Sequence, residues 1–484
     1  MNKKIVFYTV GRILQIEGIL LLLPTVVSLI YREKTALHLF LSALIAATVG
    51  AILMFLNRKG DRKIFAREGF ASVALSWIMM SAIGALPFYL SGAIPSYTSA
   101  FFETVSGFTT TGASILPDIT VLSHGLLFWR SFTHWVGGMG VLVFIMAIFP
   151  SESGRSVHIM RAEMPGPIVG KLVPKVRETA KILYLIYIAM TVIMTVLLMF
   201  GKMSLFDSLL HAFGTAGTGG FGMRPDSVGG YSPYCQWVIT VFMLLCGINF
   251  NLYYLIIIGR FRSAVKSSEL WCYLAIVAAS IIAVVINITA TLGNVYDSLS
   301  ATIRHSAFQV VSVMTTTGFS TVDFNLWPEF SKTLLLVLMF IGGCAGSTAG
   351  GLKVSRLILM VKTVRRDLKR LIHPRSVNTV KFEGKTVENE TVESLGSYFM
   401  IYAVVFFVML MVVSFDRFNL TTTFSAVVAC FNNVGPGLGG VGPLGNFSEF
   451  SVHSKWFLSL GMLLGRLEIF PILLTLSPST WAKK

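Results

Sequence analysis

The stretch VSGFTTTGAS (residues 105–114) and its near copy VSVMTTTGFS (311–320) decide the fold of this 484-residue chain. Each follows an amphipathic segment that is too short to cross a membrane. Two further segments, 204–222 and 422–439, repeat the arrangement with the turns GTGGFG and NNVGPG. The four turns align on Gly112, Gly220, Gly318 and Gly435, with Thr110, Thr218, Thr316 and Asn433 two positions earlier. The chain therefore contains a fourfold internal repeat.

Long apolar runs surround these turns. The chain is 54% hydrophobic and only 13% charged, and a soluble protein of this length would need far more charge to cover its surface. Runs such as 39–56 and 182–200 approach the twenty residues that a helix needs to cross a bilayer. The first run, 13–30, lacks a small-residue cleavage site, so we expect it to be retained rather than removed as a signal peptide. The sequence predicts a multi-pass membrane protein.

The formal charge of +16 is concentrated in a few connecting segments. Basic residues cluster in 57–68, 155–177, 260–266 and 353–385, whereas 93–124 contains no Lys or Arg. This alternation is typical of the positive-inside rule and not of a nucleic-acid surface, so no nucleic-acid partner is expected. With the basic loops in the cytoplasm, both termini are cytoplasmic. The predicted spanning helices are 8–31, 36–57, 69–92, 125–149, 178–200, 233–259, 270–292, 329–372, 394–415 and 452–476.

The predicted fold is an all-α polytopic membrane protein. Two N-terminal helices precede four fused units of helix, re-entrant half-helix, loop and helix around a pseudo-fourfold axis. The predicted divisions are an extra two-helix unit at 1–60 and repeats at 61–155, 156–265, 266–385 and 386–484.

The four loops have the chemistry of a cation pathway. Irregular backbone is tolerated at membrane depth only where it is buried in protein or lines a watery cavity. A half-helix that runs inward presents the negative end of its dipole, which favours a cation. Glycine permits torsions that turn carbonyl oxygens towards a central axis, where they can replace the water shell of a monovalent ion. No carboxylate lies within the loops, which argues against a divalent ion.

The segment GGCAGSTAGG (342–351) interrupts the long eighth helix. Glycine disfavours helix by about 1 kcal/mol relative to alanine, so we expect two helical arms joined by a loop at membrane depth. One interpretation is a flexible gate below the four loops, because the freed backbone groups need a wet or mobile environment. The other is a close-packing face of small residues between helices.

Arg466 and Glu468 lie within the last apolar run, and Lys353 follows the glycine-rich break. Residues two apart do not share a helix face, so Arg466 is expected to point at the pathway or at 342–351 and to hold the gate closed. The candidate gate residues are Gly342, Gly343, Ala345, Gly346, Ser347, Thr348, Ala349, Gly350, Gly351, Lys353 and Arg466.

Several other functions fit the sequence poorly. GLGGVG (437–442) matches a dinucleotide-binding pattern, but it follows no strand and precedes no helix. The histidines form no H-E-x-x-H motif and no G-x-S-x-G is present, so we expect no enzyme and no bound cofactor. A proton- or sodium-coupled secondary symporter is the stronger alternative, although its repeats are usually inverted pairs.

Several strings in this chain resemble the TrkH/TrkG branch of the Trk/Ktr/HKT potassium transporters. They include RAEMPGP (161–167), IGGCAGSTAGGLKV (341–354), LKRLIHP (368–374) and LLGRLEIF (463–470), together with the four turns. The resemblance covers essentially the whole chain. It implies K⁺ uptake across the cytoplasmic (inner) membrane, with K⁺ as the transported ion. Some Na⁺-carrying relatives have serine at the first filter glycine, where this chain has Gly112.

The resemblance also implies a selectivity filter, gating by 342–351, a homodimer and a cytosolic TrkA-type nucleotide-binding regulatory subunit. A basic face (Arg365, Arg366, Lys369, Arg370 and Arg375) either lies near anionic membrane lipid or docks that subunit. The filter residues implied are Thr110, Thr111, Gly112, Ala113, Thr218, Gly219, Gly220, Phe221, Thr316, Thr317, Gly318, Phe319, Asn433, Val434, Gly435 and Pro436.

Overall fold

The computed structural model describes residues 1–58, 65–138, 140, 176–293, 295–296, 298–375 and 378–482. Within them the regular secondary structure is helical, apart from one antiparallel pair of two-residue strands, Lys381–Phe382 and Lys385–Thr386. The all-α membrane architecture predicted from the sequence is therefore confirmed. The motif at 161–167 lies outside the described residues. The predicted boundaries between units at 60/61 and 155/156 also lie outside them.

The two N-terminal helices pack closely on each other. Lys3–Leu20 continues as Leu22–Ile30 and then returns as Thr35–Leu56. A Cβ added at Gly11 would lie only 2.8 Å from the carbonyl oxygen of Gly50, so glycine is required for this approach. Close contact between small residues is a common way for helices to associate where water supplies no hydrophobic driving force.

The turn between these helices is tied to the first repeat. The Glu33 carboxylate accepts hydrogen bonds from the backbone N–H groups of His124 (2.7 Å) and Gly125 (3.1 Å), which begin the helix His124–Gly138. Burial alone would raise the pKa of Glu33, but these bonds and those from His124 Nδ1 and Ser28 Oγ outweigh it and lower the pKa. The N-terminal unit is thus fastened to the repeats at a helix N-terminus, which favours an anion.

The four repeats each contain a first helix, a half-helix and a second helix. The first helices are Ala66–Gly84 with Leu86–Leu90, Val176–Phe200, Ser268–Leu292 and Asn389–Val413. The half-helices are Tyr97–Phe108, Leu205–Ala216, Leu299–Met314 and Leu420–Phe431. The second helices are His124–Gly138, Pro233–Cys246 with Phe250–Ile257, Glu329–Ile341 with Val354–Ile372, and Val452–Arg466 with Phe470–Leu476. The other described helices are short ones at Phe261–Val265 and Pro478–Trp481 and 3₁₀ turns at Ile119–Val121, Phe324–Leu326, Ser414–Asp416 and Gly439–Val441.

Packing between the repeats closes them into a ring. The second helix of each repeat packs against the half-helix of the next repeat, from His124–Gly138 on Leu205–Ala216 onwards. The last second helix, Val452–Arg466, packs back on the first half-helix, Tyr97–Phe108. The four half-helices and their loops therefore surround one common axis.

The second helices are broken more often than predicted. The eighth segment divides at 342–353, as the glycine-rich sequence indicates, but the predicted helix 233–259 also bends by 90° between Cys246 and Phe250. There, Gly247 ends one helix and the Asn249 side chain caps the next. The predicted helix 452–476 breaks before Pro471, which cannot donate a helical hydrogen bond.

These breaks reduce the number of uninterrupted spans. Of the described residues, six helices are long and apolar enough to cross a membrane, and the bent pair would make seven. The predicted helix 125–149 is described only to Gly138. The remaining difference from the ten predicted helices arises because 329–372 and 452–476 are each divided into two shorter helices.

Candidate functional site

The four loops that follow the half-helices share one backbone conformation. We name them loops 1 to 4 for residues 110–114, 218–222, 316–320 and 433–437. The first residue of each loop has a left-handed φ between 53° and 56°, and the third, a glycine, has φ between 73° and 98°. This conformation is unfavourable for threonine by about 1–2 kcal/mol, so surrounding structure must impose it. The residues concerned are Thr110 and Gly112, Thr218 and Gly220, Thr316 and Gly318, and Asn433 and Gly435.

The loops meet in a closed ring. A Cβ added at the glycine of any one loop would overlap the carbonyl oxygen of the residue that precedes the glycine in the next loop. Going round, the pairs are Gly112 with Gly219, Gly220 with Thr317, Gly318 with Val434, and Gly435 with Thr111. Two requirements therefore select glycine at these positions: the positive φ and the close approach of a neighbouring backbone.

Carbonyl oxygens in this ring lack donors. Among the described residues, no hydrogen bond reaches the carbonyl oxygen of the first three residues of any loop. Buried backbone carbonyls are nearly always paired, so these oxygens require water or a cation. The residues are Thr110, Thr111, Gly112, Thr218, Gly219, Gly220, Thr316, Thr317, Gly318, Asn433, Val434 and Gly435. All four ring glycines also line one cavity of about 100 Å³, which Arg130 and Arg224 border.

The polar side chains of the loops mostly support the backbone. Thr111 Oγ1 lies 2.8 Å from Thr109 Oγ1, and the same pairing joins Thr317 with Thr315 in loop 3. In loop 4, Asn433 Nδ2 donates to Thr111 Oγ1 at 2.9 Å and so connects loops 4 and 1. The hydroxyls thus hold the loops in place.

The fourth residue of each loop differs between repeats. Ala113, Phe221 and Phe319 are buried, whereas Pro436 is partly exposed. The Phe221 ring stacks on His134 with 4.1 Å between centroids, and Phe319 stacks on His211 at 5.5 Å. The Phe221 and Phe319 side chains thus contribute packing against two histidines beside the loops.

A buried ion pair that sequence analysis missed joins loops 1 and 2. Arg130 Nε donates to Glu103 Oε1 at 2.7 Å, and Arg130 Nη1 donates to the Gly222 carbonyl at 3.1 Å. The Glu103 carboxylate also accepts from Ser114 Oγ (3.0 Å) and Ile115 N (2.9 Å) at the end of loop 1. The Arg130 guanidinium carbon lies 3.5 Å from the centroid of the Phe221 ring. The only signal in the sequence was a charge within an apolar helix.

The 342–351 segment forms an irregular, largely buried loop directly against loops 3 and 4. Gly350 N donates to Thr316 Oγ1 at 2.6 Å. A Cβ on Gly350 would lie 2.6 Å from the Asn432 carbonyl oxygen. The glycines with positive φ here are Gly342, Gly346 and Gly351.

The loop docks into the bend of the neighbouring second helix. Cys344 N donates to the Gly247 carbonyl at 2.9 Å, and Phe250 N donates to the Gly346 carbonyl at 3.0 Å. Thr348 Oγ1 donates to the Cys246 carbonyl at 3.3 Å. A Cβ on Gly343 would lie 3.0 Å from the Gly247 carbonyl oxygen and 2.7 Å from the Ala349 side chain. The break at 342–351 and the bend at 247–249 therefore exchange backbone hydrogen bonds, which explains why they occur together.

Two cations fasten the loop. Arg466 donates to the carbonyl of Thr348 at 2.8 Å and to those of Gly137 and Gly138, which end a neighbouring second helix. The Lys353 ammonium donates to the Ala349 carbonyl, four residues earlier within the same loop. Arg466 therefore bridges the loop to the first repeat. Ser347 Oγ donates to the Cys344 carbonyl within the loop. Ala345 N donates to the Glu269 carboxylate, for which the sequence predicted no role.

Glu468 does not pair with Arg466. It forms an ion pair with Arg356, whose guanidinium also lies over the Tyr398 ring. No group of three metal-ligating side chains occurs among the residues that the structure describes. The oxygen-rich site at the axis is built from backbone.

Comparison with known proteins identifies the family. The chain matches the TrkH family, "Cation transport protein", over residues 37–483. It is 38% identical over 465 residues to the "Trk system potassium uptake protein TrkH" of Salmonella typhimurium and to that of Escherichia coli strain K12, covering 95% of each chain. The crystal structure of the potassium transporter TrkH from Vibrio parahaemolyticus aligns over 100% of both chains, with a TM-score of 0.89 and 34% identity. This multi-pass membrane protein therefore belongs to the TrkH family of cation transport proteins.

Proposed function

We propose that this chain takes up K⁺ across the cytoplasmic membrane through a channel-like central pathway. The observation that carries the proposal is the ring of loops 1 to 4, in each of which three carbonyl oxygens accept no hydrogen bond from the described part of the chain. Such oxygens can replace the hydration shell of a dehydrated monovalent cation. The relatives described as potassium uptake proteins support K⁺ as that cation.

The filter in this proposal works through its backbone. Glycine at positions 112, 220, 318 and 435 lets neighbouring loops approach closely, which fixes the diameter of the ring. No carboxylate lies in the loops, so the ion is held by dipoles alone and can leave as readily as it enters. Loop 4, with Asn433 and Pro436, departs most from the other three and forms the least regular quadrant.

The 342–351 loop is the gate in this proposal. It contacts Thr316 in loop 3 and lies against Asn433 in loop 4. In this proposal it closes the end of the pathway opposite the 100 Å³ cavity that the ring glycines line. Arg466 holds it to the first repeat and places a positive charge where a cation would leave. Release of the loop would open the pathway.

In this proposal a partner controls the gate. We propose a homodimer of this chain with both termini in the cytoplasm, regulated by a TrkA-type nucleotide-binding subunit. Arg365, Lys369, Arg370 and Arg375 are exposed on and just after the helix Val354–Ile372, which leads directly from the gate. Reversing the charges of Arg365 and Arg366 should abolish copurification with the subunit. Undiminished copurification would place docking elsewhere and leave this face to anionic lipid.

The proposed function is tested by ⁸⁶Rb⁺ uptake in cells that lack their own K⁺ transport, comparing wild type with Gly318→Ser. The serine would need a left-handed φ and would overlap the Val434 carbonyl, so uptake should fall at least tenfold. Absence of uptake by the wild type would refute the proposal. Unitary currents in a bilayer support a pore, whereas slow saturating flux would indicate the coupled symporter.

A further inference from the structure

The segment between the third and fourth repeats forms a small hairpin. Its strands, Lys381–Phe382 and Lys385–Thr386, are joined by Glu383 and Gly384, both with positive φ (48° and 75°). Such a turn matches the twist of paired strands and aims the Glu383 side chain outward from the hairpin tip. The hairpin therefore presents a carboxylate at a defined place.

The hairpin is seated on the two helices that flank it. A small buried apolar cluster, separate from the main core, fixes it to the helices Val354–Ile372 and Asn389–Val413. The cluster consists of Leu359, Val380, Phe382, Val387, Val392 and Leu395. Lys362 Nζ also donates to the Lys381 carbonyl at 2.8 Å. The hairpin is thus attached to the helical arm that follows the 342–351 loop.

Glu383 caps the first helix of the third repeat. Its Oε1 accepts hydrogen bonds from Ser267 Oγ (3.1 Å), Ser268 Oγ (3.0 Å) and Glu269 N (3.1 Å). These groups form the N-terminus of Ser268–Leu292, where the helix dipole favours a negative charge. The tip of the hairpin is therefore attached to a second element besides its own helices.

Glu269 connects the 342–351 loop to the helix that follows it. The side chain is buried, with 5% of its surface exposed, and its Oε1 accepts from Ala345 N (2.7 Å) and Ser355 N (3.1 Å). Ala345 lies inside the loop, and Ser355 is in the first turn of the helix that follows it. One carboxylate oxygen thus binds both the first half of the loop and the start of the following helix.

The two carboxylates act in series. Glu383 binds the backbone of Glu269, and Glu269 binds the loop. We propose that Glu269 is a positioning residue that anchors the gate and that Glu383 sets the place of this anchor, so that displacing the hairpin frees the 342–351 loop. This inference rests on the proposed function, since it assigns the loop a gating role. It makes the hairpin the point at which an event outside the membrane reaches the gate.

The test measures basal ⁸⁶Rb⁺ uptake by purified chain in proteoliposomes, without any partner. Glu383→Ala should raise basal uptake about fivefold to thirtyfold, the change in population expected from losing one helix cap. Glu269→Gln, which keeps a carbonyl acceptor but removes the charge, should raise it as well. The ratio of Rb⁺ to Na⁺ uptake should stay unchanged, because the hydrogen bonds described for these two side chains reach other segments than loops 1 to 4. The control is Glu388→Ala, an exposed carboxylate at the end of the same segment.

The series arrangement adds a second readout. If Glu383 acts through Glu269, adding Glu383→Ala to Glu269→Gln should raise uptake no further. Basal uptake by Glu383→Ala equal to that of Glu388→Ala would overturn the inference. A double variant whose increase in basal uptake is the product of the two single increases would also overturn it. Because Glu383 is exposed at a hairpin tip, its variant tests the inference even if Glu269→Gln does not fold. Suppose that Gly318→Ser abolishes the wild-type uptake and that Glu383→Ala leaves basal uptake unchanged. This result would support the proposed function and refute only this inference.

Discussion

Replacement of Arg130 by methionine should weaken both the protein and its ion selectivity. Arg130 and Glu103 are almost completely buried, with exposed side-chain fractions of 2% and 0%. Removal of one partner from a buried pair costs about 3–5 kcal/mol, because the other charge is left uncompensated. Glu103 retains the bonds from Ser114 and Ile115, so we expect the lower end of that range, about 3 kcal/mol.

The consequence for transport follows from the second bond of Arg130. Its Nη1 holds the Gly222 carbonyl, so the substitution releases the connection between loops 1 and 2. If about 1.4 kcal/mol of discrimination is lost with it, the preference for Rb⁺ over Na⁺ falls tenfold. Arg130→Lys should rescue only part of this, since an ammonium cannot reach both acceptors in the geometry of a planar guanidinium.

The assay pairs thermal unfolding of the detergent-purified protein with Rb⁺ and Na⁺ uptake. Arg224→Met is the matched control, because Arg224 borders the same cavity but is exposed and lies over the Tyr231 ring. Such a surface change is expected to alter stability by about 0.5 kcal/mol or less. Arg130→Met with Glu103→Gln should be less destabilised than the sum of the single variants. Arg130→Met that matches Arg224→Met in stability and in ion preference would refute this reasoning.

Three further predictions concern single side chains. Because the pKa of Glu33 is lowered in the folded protein, its contribution to stability is present above the ordinary glutamate pKa and is lost as the pH falls through the lower, folded value. Glu33→Gln should therefore lower the melting temperature at pH 7 and reduce the fall of the melting temperature as the pH is lowered. A variant whose melting temperature falls with pH as steeply as that of the wild type would contradict this. Asn433→Thr should cost about 1–3 kcal/mol, since it removes the donor to the buried Met462 carbonyl, and equal thermal stability would show that this bond is unimportant. Arg466→Ala should raise basal Rb⁺ flux by releasing the 342–351 loop, and unchanged flux and regulation would exclude Arg466 from gating.

Several features could be read from local sequence because they follow from local torsion. Glycine is the residue that most readily adopts a positive φ and leaves room for a neighbouring backbone, so the register of Gly112, Gly220, Gly318 and Gly435 was visible without a structure. The interruption at 342–351 was visible for the same reason. The bend at 247–249 carried a weaker signal, one glycine and one capping asparagine within an apolar run, and was missed.

The sequence by itself determined the class of protein, the fourfold repeat and the positions of the turns, because hydrophobic length and glycine content are properties of short segments. Only the tertiary structure decided which loops touch, that Arg130 joins loops 1 and 2, and that Glu269 binds the 342–351 loop. Each of these contacts unites residues far apart in the chain, and hydrogen-bond partners at such separations are chosen by how the helices pack into the ring. A charge in an apolar helix indicates that it must be paired, but only the packing of the ring determines which residue is its partner.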